Sequence, residues 1–198
     1  MQPRFLTAVS LGLCVFCAGA VTAQAQMYDA DGRYSGGQAS RRYELFGGTS
    51  YVGSIKRSTV SAPGNYAPGT IIVNTTERRL YLIQDNGSAL KYGIGVGRDG
   101  FRWAGTTAVV AKKEWPDWTP PSQMLARRPD LPRHMKGGIE NPLGARAMYL
   151  GSSLYRIHGS NEPWTIGQAV SSGCIRMRNE DVIDLYDRVK VGTKVVVI

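Results

Sequence analysis

The 198-residue sequence predicts a mainly β domain that carries one or two short helices. Three observations lead there. β-Branched and apolar runs recur between turn signals from Thr70 to the C-terminus, glycine alternates with larger apolar residues from Tyr92 to Gly97, and helical spacing is clear only after Asn179.

The first of these runs are Thr70 to Thr75 and Arg79 to Gln84, followed by a hairpin signal at Asp85-Asn86-Gly87. Tyr92, Ile94 and Val96 then alternate with Gly93, Gly95 and Gly97, which predicts a strand against which another backbone packs closely. Further strands are expected at Thr106 to Lys112, Ala147 to Leu150, Leu154 to His158 and Lys194 to Ile198. The helix starts at Asn179, an N-cap candidate. Glu180 and Asp181 suit its dipole, Val182, Leu185, Tyr186 and Val189 form one apolar face, and Gly192 ends it. A weaker helix is expected from Ser122 to Arg128, within the long proline-rich stretch from Trp115 to Pro142 that suggests a functional loop or lid.

Residues 1–25 have the pattern of a secretory signal peptide: Arg4, an uncharged apolar stretch from Phe5 to Val21, and Ala23-Gln24-Ala25 as the cleavage site. The apolar stretch is broken by Thr7, Ser10, Gly12 and Gly19, so no stable membrane insertion is expected after cleavage. Residues 26–65 are rich in Gly, Ser, Tyr and Arg and are expected to be a flexible low-complexity tether. One domain of ordinary size follows, over residues 66–198. Loss of Arg4 lowers the formal charge from +9 to +8, which suits an anionic polymer or membrane surface. A secreted chain with scattered basic residues is a poor nucleic-acid binder, and no such partner is expected.

Cleavage also removes Cys14 and Cys17, leaving Cys174 as the only thiol. In an oxidising compartment it is inert, paired between chains, or kept for its reactivity. Ser171, Ser172 and Arg176 around it argue against an apolar, space-filling role. A thiol of reference pKa ~8.5 needs a base near neutrality, and His158, at a predicted strand end, is the candidate. Gly173 lets the chain turn so that amides near Cys174 can face an oxyanion.

Two other motifs carry less. Gly95-Val96-Gly97-Arg98-Asp99-Gly100 has the letters of a dinucleotide fingerprint, yet no helix follows it. His134, His158 and Cys174 are too few and too widely spaced for a structural zinc site. No metal and no cofactor are expected.

Ile157-His158-Gly159-Ser160-Asn161, Ile166-Gly167, Ser171-Ser172-Gly173-Cys174-Ile175-Arg176-Met177 and Asn179-Glu180-Asp181-Val182 together resemble the signature of the bacterial L,D-transpeptidases, the YkuD-type catalytic domain. Val96 to Phe101, Trp118-Thr119-Pro120-Pro121 and Asn141-Pro142-Leu143-Gly144 extend the resemblance, which runs from about residue 68 to the C-terminus. It implies a β-sandwich-like catalytic domain with a helix after the cysteine motif. It also implies Cys174 as nucleophile, His158 as proton donor and acceptor, and the Gly159 carbonyl as the group orienting the imidazole. Gly173 and Cys174 match amides of the oxyanion hole, and Ser171 and Arg176 match polar positions shaping the site. Ser172 stands where many members have a second histidine.

The implied substrate is a peptidoglycan tetrapeptide stem, attacked between diaminopimelate and D-alanine, and the implied setting is the periplasm, associated with the cell wall. The acceptor could be a second stem, an envelope protein or water. A wall-binding module without catalysis would suit the charge but would not require Cys174 and His158. Papain-like and NlpC-type peptidases are disfavoured because their cysteine precedes the histidine in the chain.

Overall fold

A computed structural model describes residues 55–198. The expected signal peptide, with Cys14 and Cys17, and residues 26–54 of the expected tether lie outside the described residues. Eleven strands, two α-helices and a 3₁₀ turn make up this part: β1 (Ser58–Ser61), β2 (Ile71–Asn74), β3 (Arg79–Ile83), β4 (Ser88–Gly93), β5 (Val96–Gly97), β6 (Gly105–Glu114), α1 (Ser122–Arg127), β7 (Arg146–Leu150), β8 (Arg156–His158), the 3₁₀ turn Pro163–Thr165, β9 (Ala169–Ser171), β10 (Ile175–Arg176), α2 (Asn179–Arg188) and β11 (Lys194–Val197). The mainly β expectation with one or two short helices describes this architecture.

Nine strands form one sheet in the order β1-β4-β3-β2-β11-β6-β7-β8-β10, and β5 pairs with β9 in a second, two-stranded sheet. The hairpin at Asp85-Asn86-Gly87 joins β3 to β4, with Gly87 at φ 72° as such a turn requires. Along the large sheet the pairs are antiparallel except for β2 with β11 and β8 with β10. The parallel β8/β10 pair matters most. It brings the chain around Cys174 to the strand that ends in His158.

The main core gathers residues far apart in sequence, among them Ile71, Leu80, Tyr92, Ile94, Val109, Met148, Ile157, Ile175, Met177, Leu185 and Val195. Helix α2 contributes Val182 and Leu185, in keeping with its single apolar face. Lys112 donates to the carbonyls of Tyr186 and Val189 at 2.6 Å each, so a strand lysine satisfies the open C-terminal carbonyls of the helix. The segment between β6 and β7 has its own small core of Trp118, Met124, Leu131 and Leu143. Trp118 and Met135 there exchange backbone hydrogen bonds of 2.8 Å.

Three local readings differ from the structure. The alternating stretch is two strands rather than one, because the chain breaks after Gly93 and Gly95 bridges to Arg176 instead. Asn179 is the first residue of α2 rather than its cap, and its Oδ1 accepts from the Ala145 amide at 2.9 Å. The regular structure begins before residue 66, since β1 pairs with β4 as an edge strand within the range read as tether. That edge strand is mostly exposed and adds little apolar burial, so composition does not reveal it.

The close backbone approach expected at the glycines is present. A Cβ at Gly97 would stand 2.7 Å from the Phe101 carbonyl oxygen and 3.1 Å from Gly173 Cα, while Val96 on the same strand is buried. Gly97→Ala should therefore push β5 off the loop before Cys174 and destabilise the domain by about 1–3 kcal/mol. Urea denaturation checks this. An unchanged midpoint would contradict the packing described.

Candidate active site

His158 closes β8, where Ala147 of β7 stands opposite it on one side and Arg176 of β10 stands beside it on the other. Its peptide is pinned from both sides: Met177 donates to the His158 carbonyl at 2.8 Å, and the Gly159 amide donates to Arg146 at 3.0 Å. The imidazole is fully buried. Its Nδ1 lies 2.6 Å from the carbonyl oxygen of Gly159.

A carbonyl oxygen can only accept, so Nδ1 carries the hydrogen. In the neutral ring the free lone pair then sits on Nε2, which is buried and has no hydrogen-bond partner. Burial, reinforced by the nearby positive charge of Arg176, pushes the His158 pKa down to about 3, against the opposing pull of the Gly159 bond. At neutral pH the group is an uncharged imidazole with an unpaired acceptor. That is the resting form of a general base.

Gly159 must be glycine because a Cβ there would collide with Asn179 Oδ1 and come within 3.0 Å of the Ala145 amide. Asn179 thus ties the start of α2 to the chain beside the histidine, a contact that the sequence reading did not anticipate. A Cβ at Gly144, which has φ 63°, would collide with the same Asn179 oxygen and with the Ser160 amide.

Cys174 is half-buried in the turn between β9 and β10. Its Sγ lies 3.8 Å from the Leu154 carbonyl oxygen, at the approach to β8. Ser171 staples this turn: its hydroxyl donates to the Cys174 carbonyl at 2.6 Å and accepts from the Gly173 amide at 3.2 Å. Gly173 has φ 108°, and a side chain there would strike Tyr155 and come within 3.0 Å of the Phe101 carbonyl. Trp103 donates to the Gly173 carbonyl at 3.2 Å and stacks on Tyr155 with ring centroids 4.9 Å apart. Ser172, next to Gly173, is half-buried.

Arg176 lies deeper than a polar position on a site wall. It is 1 % exposed, with its Nη2 2.8 Å from Glu162 Oε2 and 2.7 Å from Thr165 Oγ1. A buried charge is tolerated only when paired in this way. Glu162 and Thr165 belong to the 3₁₀ turn and the residue before it, which no sequence spacing marked.

The structure thus brings His158, Gly159, Arg176 and the Ser171 to Cys174 turn to one edge of the large sheet, and places His134 elsewhere. His134 is exposed on the proline-rich segment, 3.3 Å from Thr119 Oγ1 and 3.6 Å from Asp117 Oδ2. Among the described residues, no group of three or more His, Cys, Asp or Glu side chains is arranged to hold a metal ion.

A family model described as "YkuD: L,D-transpeptidase catalytic domain" matches residues 68–197, a span that includes the whole of this arrangement. The chain belongs to the YkuD family. "Probable L,D-transpeptidase ErfK/SrfK" of Escherichia coli K12 is 40% identical over 137 residues, covering 65% of this chain and 43% of the relative. "Probable L,D-transpeptidase YbiS" of the same strain is 40% identical over 134 residues, covering 63% and 43%. The match spans less than half the length of either relative. An L,D-transpeptidase structure from Mycobacterium smegmatis has a TM-score of 0.52 at 21% identity, covering 65% of this chain and 58% of that one, and so shares the fold.

The depressed histidine has a measurable effect on stability. Its folded pKa lies below the unfolded value of 6.5, so above pH 6.5 neither state is protonated and stability is unaffected. As pH falls from 6.5 towards 3 the unfolded chain takes up a proton that the folded chain refuses, and stability drops by up to about 1.4 kcal/mol per unit. His158→Gln should remove that contribution and flatten the acid limb of a denaturation series. An identical pH slope in wild type and variant would contradict it.

Proposed function

We propose that this YkuD-family domain is a peptidoglycan L,D-transpeptidase working through a thioester on Cys174. The observation that carries the reading is the buried, neutral His158, its Nδ1–H committed to Gly159 and its Nε2 open, on the strand that pairs with the chain leaving Cys174.

The Cys174 thiol passes its proton to His158 Nε2 as the sulfur attacks the carbonyl joining diaminopimelate to D-alanine in a tetrapeptide stem. Thiolate and imidazolium arise together, so each charge offsets the burial cost of the other. The family resemblance assigns the developing oxyanion to amides of the Gly173 to Cys174 turn, where the Gly173 amide now donates to the Ser171 hydroxyl at 3.2 Å and would have to turn from it to take part. Collapse of the tetrahedral intermediate breaks the carbon–nitrogen bond, and imidazolium returns the proton to the departing D-alanine amine. An acceptor amine then attacks the thioester, with His158 again taking a proton, and the thiol is released.

A second stem as acceptor would give a cross-link. An envelope-protein lysine would give an anchored protein, and water would give a shortened stem. The +8 charge expected after loss of a signal peptide suits the anionic wall, and the signal-like pattern of residues 1–25 supports a periplasmic setting. No described helix is long and apolar enough to cross a membrane.

Cys174→Ala should lower D-alanine release from a defined tetrapeptide by about three orders of magnitude or more while the folded far-UV spectrum is kept. His158→Gln should act similarly, and His134→Gln should retain activity. Mass analysis of the products identifies both D-alanine and the acceptor. Substantial turnover by folded Cys174→Ala protein would overturn the thioester mechanism.

A carbapenem should add to Cys174, as the family resemblance implies for a stem mimic. Intact-protein mass spectrometry followed by peptide mapping checks it. An unmodified protein after long exposure to excess carbapenem would count against the reading.

A further inference from the structure

Side chains alternate along β8, so Arg156 and His158 share one face while Ile157 enters the core. On β7, Tyr149 stands opposite Arg156 as Ala147 stands opposite His158. Strand β10 runs parallel, with Ile175 beside Ile157 and Arg176 beside His158. Cys174 immediately precedes this pair, in the turn that leads into β10. The 3.8 Å approach of Sγ to the Leu154 carbonyl puts the sulfur at the same end of β8.

Arg156 is half-buried, its guanidinium carbon 5.4 Å from the centroid of the Tyr149 ring. Its Nε is buried with no hydrogen-bond partner. The neighbouring arginines are committed otherwise: Arg176 to Glu162 and Thr165, Arg146 to Glu114 and the Ala145 carbonyl. No carboxylate among the described residues forms an ion pair with Arg156. Its charge nevertheless reaches the catalytic centre, since it is among the causes that hold His158 unprotonated. A guanidinium resting on an aromatic ring, with donors unused and a nucleophile beside it, is an open position for an anion.

We propose that Arg156, seated on Tyr149, forms an anion subsite beside Cys174 that takes the free carboxylate of the leaving D-alanine in the donor stem. The identity of that ligand rests on the transpeptidase reading; the subsite itself does not. The D-alanine carboxylate is only a few bonds from the scissile carbonyl, within reach of an arginine that flanks the sulfur. The side-chain carboxylate of diaminopimelate lies farther along the stem. The subsite would therefore select donors that end in a free D-alanine.

Two measurements on the full chain test this, each comparing wild type with Arg156→Gln. The first is the alkylation of Cys174 by iodoacetate relative to iodoacetamide, which reads charge near the sulfur without any peptide. Loss of Arg156 should lower that ratio by about tenfold. The second is release of the terminal residue from a tetrapeptide (as D-alanine), from the same donor ending in D-alaninamide (as D-alaninamide), and from a donor amidated on diaminopimelate (as D-alanine).

Wild type should prefer the free D-alanine donor over the D-alaninamide donor by about tenfold or more in kcat/KM. Arg156→Gln should lose that preference, slowing the free-acid donor about tenfold more than the D-alaninamide donor, and Arg156→Lys should recover part of it. An unchanged alkylation ratio would overturn the subsite. Equal slowing of all donors would reduce Arg156 to a packing role, and a preference lost only against the diaminopimelate-amidated donor would overturn the assignment to D-alanine. If wild type releases D-alanine from no donor while the alkylation ratio still depends on Arg156, the anion subsite stands and the transpeptidase reading falls.

Discussion

The hydrogen bond from His158 to the carbonyl of its own neighbour, Gly159, is the constraint on which the site depends. It joins adjacent residues at 2.6 Å, and it fixes which nitrogen of a buried ring stays open. A carboxylate in the same place would favour imidazolium, whereas a carbonyl orients the ring without a formal charge. The surrounding sheet keeps that carbonyl in place through the bonds to Met177 and Arg146 on either side of the His158–Gly159 peptide. Asn179 and the glycines at 144 and 159 close the remaining space so tightly that no side chain fits.

A second layer of charge lies beneath. Arg176 is buried next to His158 in the parallel register, and its pairing with Glu162 makes that burial tolerable. An arginine there opposes protonation of the histidine at rest. The Cys174 turn is held by contacts of a different kind, with the Ser171 hydroxyl bridging its ends and the Trp103–Tyr155 stack packed against Gly173.

Much of the fold was legible because apolar periodicity reports burial directly. Ile71 to Val73, Leu80 to Ile83, Val182 and Leu185 are all buried where the pattern placed them, and the hairpin turn carries its own glycine signal. Strands β1, β9 and β10 were not legible, since two or three residues, or an exposed edge, leave no period to count. At the site, Cys174 and His158 stood out by chemical type, and Gly173 by its place before the thiol. Glu162, Thr165 and Trp103 were hidden, because their meaning lies in contacts across the fold. Arg156 was within reach of the sequence: it stands two positions before His158 on a predicted strand, which alternation places on the same face.

The central claim is the protonation state of His158, and nitrogen-15 NMR of the histidine-labelled protein reads it most directly. The account predicts one histidine, assigned by its loss in His158→Gln, with hydrogen on Nδ1 and a bare Nε2 at neutral pH, unchanged as the pH is lowered well below 6.5 towards the region of 3. A His158 resonance that shows hydrogen on Nε2, or that becomes imidazolium near pH 6.5, would contradict it.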